Sequence, residues 1–130
     1  MGNGTELGRV RGLGPARDGE EGWLEQRYTA VGNLFLVSFL AISIVLLPDL
    51  SYGSVSGWLK HPVPAVLLAL LVVNVFWHAR LGLREMIGDY VHDEGNKFAA
   101  FLVINFATAA GVAFGLFFIL KTALGAGAAA

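Results

Sequence analysis

Three uncharged runs, one after another, limit what this chain can become. Tyr28 to Pro48 is 21 residues without a charge, Pro62 to Ala79 is 18 with His78 counted as neutral, and Phe98 to Leu120 is 23. A bilayer core about 30 Å thick takes about 20 helical residues to cross. None of the runs alternates apolar and polar residues with period two, as a spanning barrel strand would. The reading is an all-α membrane protein with three transmembrane helices, approximately over residues 28–48, 62–90 and 98–121. Composition agrees. With 55% hydrophobic and 15% charged residues in 130, the chain is too apolar for a soluble domain of this size.

Two further properties exclude whole classes. A net charge of −1 provides no basic field for nucleic acid. The absence of cysteine rules out disulfides, thiolate zinc sites and iron–sulfur clusters held by this chain alone. Any redox role needs a borrowed cofactor.

The chain divides into an arm (1–27), a membrane domain (28–124) and a tail (125–130). The arm mixes five acids with four arginines, unlike a transit peptide. The first span starts too late and runs too long for a cleaved signal peptide. Residues 1–22 hold seven glycines and no apolar periodicity, so an extended or poorly ordered segment is expected. "GLGPARDG" invites a phosphate-loop reading, but it lacks the Gly-Lys-Ser/Thr ending and the strand–turn–helix setting. Trp23 and Tyr28 suit a membrane interface, and Arg27 sits where the chain enters it, as an anchoring cation. "PDLSYGSVSGWLKHP" reads as a Gly/Ser-rich connection whose Pro62 starts the next helix. Ala107, Gly111 and Gly115, at four-residue spacing, offer a surface for close helix packing. The "GAGAAA" tail is expected to fray.

Orientation follows from the basic residues. Arg9, Arg11, Arg17 and Arg27 precede the first span, and Arg80, Arg84 and Lys97 lie between the second and third. Only Lys60 and Lys121 belong to the other side. Seven against two puts the N-terminus in the cytoplasm, with the polar end of the second helix.

That polar end, "HARLGLREMIGDY", carries the candidate chemistry. His78 is the only histidine within a span; His61 lies in the outer loop and His92 beyond the second helix. An imidazole in a membrane must satisfy its polar atoms, either by hydrogen-bonding a neighbouring helix or by ligating a metal. Gly82 lies one turn on, nearly on the same face, and removes a side chain where a flat macrocycle would approach. Asn74, one turn back, keeps that face small and polar, while Arg80 and Arg84 project toward the opposite side. Histidine is a usual axial ligand of haem iron, and such sites form between bundle helices. His92 is about 21 Å from His78 along a continuous helix, so the two cannot share an iron. A six-coordinate haem would take its second ligand from another chain. Asp89 returns to about 20° from the face of His78, about 16 Å nearer the cytoplasm. Beside it, Tyr90 offers a hydroxyl donor for a quinone carbonyl, although tyrosines also populate interfaces for other reasons.

"HARLGLREMIGDYVH" resembles the His-x-x-x-Gly…Asp-Tyr-Val signature of the small hydrophobic membrane-anchor subunits of bacterial succinate dehydrogenase. "LGRVRGLGPARDG" followed by "WLEQRYTA" is similar to the N-terminal pattern of that family, and the resemblance covers the whole chain. It implies that His78 is one axial ligand of haem b, and that Asp89 and Tyr90 lie at the ubiquinone pocket. It also places Arg27 near the haem propionates or the quinone. Glu20 and Glu21 stand where a histidine is often found in the arm, a departure that leaves His78 untouched.

The resemblance implies a non-catalytic anchor of succinate:quinone oxidoreductase in the bacterial inner membrane. Its partners would be a second, cytochrome-b-type anchor subunit sharing the haem, an iron–sulfur subunit and a flavoprotein subunit. Electrons from succinate would pass to ubiquinone. Two rivals come from other classes. A cofactor-free assembly or packing subunit would use His78 only as a hydrogen-bonding group and would be colourless. A small transporter subunit would want a polar path across the membrane, whereas Asn33, Asn74, Asn105 and Thr108 look scattered.

Overall fold

The computed structural model describes residues 18–125, with side chains from Gly22 onward. It contains α1 (Asp18–Leu46), α2 (Tyr52–Leu59), α3 (Pro62–Tyr90) and α4 (Glu94–Ala123), and no strand among the described residues. Three segments are long and apolar enough to cross a membrane: Gly22–Leu46, Pro62–Tyr90 and Glu94–Ala123. The all-α, multi-pass fold expected from the uncharged runs is the one observed.

The helix ends follow local chemistry. Pro62 opens α3, where its missing N–H costs nothing, and Val91 closes it by turning extended, at φ −100° and ψ 108°. Two residues on, Asp93 caps α4, its carboxylate accepting the Asn96 N–H at 2.8 Å. Glu94 in the first turn of α4 and Lys121 in its last both have the sign the helix dipole favours. Only Val91, His92 and Asp93 link α3 to α4, which makes the two helices antiparallel neighbours.

Four bounds differ from the sequence reading, both ends of α1 and both ends of α4. α1 begins at Asp18, so the extended segment expected through residue 22 is corrected over 18–22. Residues 1–17, with most of "GLGPARDG", and the tail from 126 lie outside the described residues. α4 is longer than 98–121 because its cap lies at Asp93.

The connection between the first two spans, read as a Gly/Ser-rich loop, contains α2. Ser51 caps it by accepting the Ser54 N–H at 3.3 Å, and the Asp49 carboxylate accepts the Ser51 N–H at 2.9 Å. The Ser51 and Ser54 hydroxyls, with that N–H, hold the Asp49 carboxyl at about 2, below its ordinary 3.8. Leu59 is buried, and Trp58 stacks on Phe39 of α1 with ring centroids 6.4 Å apart. These contacts fold α2 back over the end of the bundle where α1 finishes and α3 begins.

α3 is the middle helix. It packs against α1 and α4, whereas α1 and α4 make no backbone-range contact among the described residues. The small-residue stripe explains the α3–α4 approach. A Cβ on Gly115 would lie 2.6 Å from Val72 Cγ1, and one on Gly111 would overlap the Phe76 ring. Ala107 is exposed and belongs to no such contact. Each four-residue step turns about 40°, so two steps carry it off the shared face.

Few of the described residues are buried: Leu59, Leu71, Ile119 and Ser43. Phe35, Val45, Phe106 and Phe114 all point outward. In water such a surface would aggregate. Against lipid tails or a partner helix it is an ordinary contact surface.

Candidate functional site

The α1–α3 contact is built on polar side chains rather than on apolar packing alone. Thr29 and Asn33 lie one turn apart on α1, and Asn74 and His78 one turn apart on α3. Asn74 Nδ2 donates to the Thr29 carbonyl at 2.8 Å and to Asn33 Oδ1 at 2.8 Å. Gly32 lets Asn74 come this close, since a Cβ there would lie 2.9 Å from Asn74 Nδ2. One turn nearer the α3 C-terminus, His78 Nδ1 meets Thr29 Oγ1 at 2.9 Å. The four residues form a clamp that fixes the register of α1 on α3 and the rotamer of the His78 ring.

His78 is half-buried, and its Nε2 makes no hydrogen bond among the described residues. No buried side-chain nitrogen or oxygen among them lacks a partner, so Nε2 lies on the accessible surface of the chain. Gly82 is exposed, and a Cβ on it would meet nothing within 4 Å. The structure therefore brings an accessible imidazole nitrogen and a bare stretch of helix onto nearly one face. This donor and this clearance fit one axial side of a haem. Among the described residues, no three His, Cys, Asp or Glu side chains cluster to hold an isolated metal ion.

The arginines of α3 turn toward α4, as their spacing from His78 requires. Arg80 Nε donates to Asn105 Oδ1 at 2.7 Å, and its guanidinium lies 5.7 Å from the Trp77 ring centroid. Arg84 lies 5.4 Å over Phe101. At the end of the bundle, a cleft of about 440 Å³ opens between α1, α3 and α4. Glu25, Arg84, Glu85, Asp89 and Phe101 are among its lining residues. Tyr90 is the last residue of α3, 79% exposed, and does not line this cleft. Asp89 and Tyr90 are thus adjacent in sequence but not joined by a hydrogen bond. Arg27 is exposed, its guanidinium 4.6 Å over Trp23.

Thr29 is the residue that sequence reading missed. Its signal was available: uncharged polar residues four apart occur once in each of two successive spans, Thr29 with Asn33 and Asn74 with His78. Asn33, Asn74 and Asn105, which looked scattered, are all committed to contacts between helices. Groups so committed do not form an open polar path through the bundle.

Fold and site together define a three-span membrane subunit whose middle helix carries an accessible histidine and ends in a charged, partly open face. More particularly, the chain belongs to the succinate dehydrogenase/fumarate reductase transmembrane subunit family, whose model matches residues 1–114. It is 32% identical over 88 residues to the succinate dehydrogenase hydrophobic membrane anchor subunit of Rickettsia bellii, covering 67% of this chain and 70% of that one. The protein of the same name from Rickettsia conorii is 31% identical over 97 residues, with 67% and 70% coverage. That of Coxiella burnetii is 23% identical over 84 residues, covering 65% of this chain and 73% of its own.

Proposed function

We propose that the chain is a non-catalytic membrane anchor of a succinate:quinone oxidoreductase that supplies one side of a haem b site and part of a ubiquinone site. The observation that carries this reading is the pairing of His78, tied through Nδ1 and open at Nε2, with the bare face at Gly82. When bound, haem b supplies a one-electron redox centre within the membrane. His78 would hold the haem iron through Nε2, and a second, cytochrome-b-type anchor subunit would share the haem, with a histidine of that subunit as a further ligand.

The cytoplasmic end handles quinone in this proposal. Tyr90 donates its hydroxyl to a quinone carbonyl, and its exposure leaves the site to be closed by a partner chain. Asp89, in the charged cleft beside Arg84 and Glu85, accepts and relays protons to the reduced headgroup. Arg27, at the foot of α1, is a cation for propionate or quinone oxygens. The seven-to-two bias of basic residues supports a cytoplasmic position for this end, with the chain in a bacterial inner membrane. There the chain docks an iron–sulfur subunit and a flavoprotein subunit, which carry the succinate chemistry.

The test is a reduced-minus-oxidised visible spectrum of the complex, wild type beside His78→Leu. A b-type band that is lost in the variant is expected; a band of unchanged height removes His78 from the iron. In the same preparation, Tyr90→Phe is expected to lower quinone reduction by up to about tenfold, as losing a hydrogen bond worth up to about 1.5 kcal/mol implies. Succinate oxidation by a soluble acceptor should persist. Unchanged quinone reduction would remove the quinone assignment, whereas equal loss of both activities would indicate failed assembly.

A further inference from the structure

His78 is held by a single side chain, and that side chain has only one proton. Thr29 Oγ1 lies 2.8 Å from the Glu25 carbonyl and 3.1 Å from the Gln26 carbonyl, besides 2.9 Å from His78 Nδ1. Threonine hydroxyls within helices characteristically donate to the carbonyl three or four residues back. A hydroxyl has one donor and two acceptor lone pairs. With the proton committed to its own helix, Thr29 can only accept from the ring. The Nδ1 of His78 must then carry the hydrogen.

We infer that Thr29 is a positioning residue that fixes His78 as its Nδ1–H tautomer, leaving the Nε2 lone pair free and facing outward from the chain. This rests on the haem-ligand reading above and deepens it, because an iron binds only the unprotonated nitrogen. In the reverse arrangement, the Thr29 hydroxyl donates to Nδ1, and the hydrogen moves to Nε2. An N–H without an acceptor at the hydrocarbon-facing surface is then left, the costlier choice in a membrane. The Asn74 bonds to Thr29 and Asn33 keep the helices in the register this contact needs. The tie also does more than orient. A hydrogen bond from Nδ1–H raises the basicity of the opposite nitrogen and strengthens its hold on iron.

The chain has only three histidines, so its ring nitrogens can be read individually. The experiment is nitrogen-15 magic-angle-spinning NMR of the full chain, labelled at histidine, in haem-free phospholipid bilayers, with the His78 signals assigned by their loss in His78→Leu. The Nδ1–H pattern is expected in wild type and in Thr29→Ser, and a mixture of tautomers in Thr29→Val. A wild-type Nε2–H pattern, or one unchanged in Thr29→Val, overturns the inference. A second arm uses the haem-loaded complex. There Thr29→Val should raise the haem midpoint potential and lower haem content severalfold, with Thr29→Ser close to wild type. If His78→Leu keeps its haem, the ligand reading itself falls. If His78→Leu loses haem while Thr29→Val matches wild type in tautomer, potential and content, only the role of Thr29 falls.

Discussion

Gly82 separates two reasons for a glycine in a membrane helix. A side chain there meets nothing within 4 Å, so packing within this chain does not require the glycine. Replacing it with alanine should even favour the helix, by about 1 kcal/mol, because alanine loses less backbone entropy. Gly82→Leu is therefore expected to leave membrane insertion and helix content intact while reducing haem per complex, measured by pyridine haemochrome against subunit amount. Full haem content would show that no macrocycle approaches that face. The residues of this site differ in how legible they were. His78 and Gly82 stand out in the sequence because polar atoms and missing side chains are conspicuous in an oily helix. Thr29 does not, because a threonine near an interface is unremarkable until α1 and α3 are in register. Its importance is a tertiary fact, set by a 2.9 Å contact across 49 positions of sequence.

At the scale of elements, Gly111 is the counterpart of Gly82. Its missing Cβ is where the Phe76 ring sits, so a larger residue must push α4 away from α3. Gly111→Leu should destabilise the helix pair by about 1–3 kcal/mol, the usual cost of overpacking. Titrating the bundle in mild detergent with sodium dodecyl sulfate, beside Gly82→Leu as a control, measures this. Equal midpoints for the two variants would mean that the glycine contact does not hold the pair together. Elements with strong boundaries were readable to the residue: α3 runs Pro62–Tyr90, as proline at one end and polar residues at the other dictated. α1 was read about ten residues short, because hydropathy marks where a helix enters the membrane, not where its hydrogen bonding starts. α2 escaped notice because glycine and serine are poor helix formers. It stands on its Ser51 cap and on Leu59 and Trp58 packing, which only the folded chain supplies.

For the whole molecule, what matters is which surfaces face what. α3 lies between two helices that make no backbone-range contact with each other among the described residues, a layout that no single run of sequence encodes. The packing stripe on α4 pointed to a close neighbour without saying which. The outward-facing aromatics leave room for lipid and for the partner helices that the anchor reading requires. Orientation is the global property that decides whether the Asp89–Tyr90 end meets soluble partners in the cytoplasm. The chain contains no cysteine, so a single introduced thiol reports its side of the membrane without background from this subunit. His61 is exposed and makes no side-chain cap bond to α3, and His92 is exposed in the short α3–α4 link. Neither belongs to the clamp. With a membrane-impermeant maleimide added to spheroplasts, His61→Cys should label in intact cells and His92→Cys only after lysis. The reverse pattern would put the charged cleft outside, where no cytoplasmic succinate-oxidising subunit could dock. The basic-residue bias would then have misassigned the topology, and the quinone proposal at Tyr90 would fall with it.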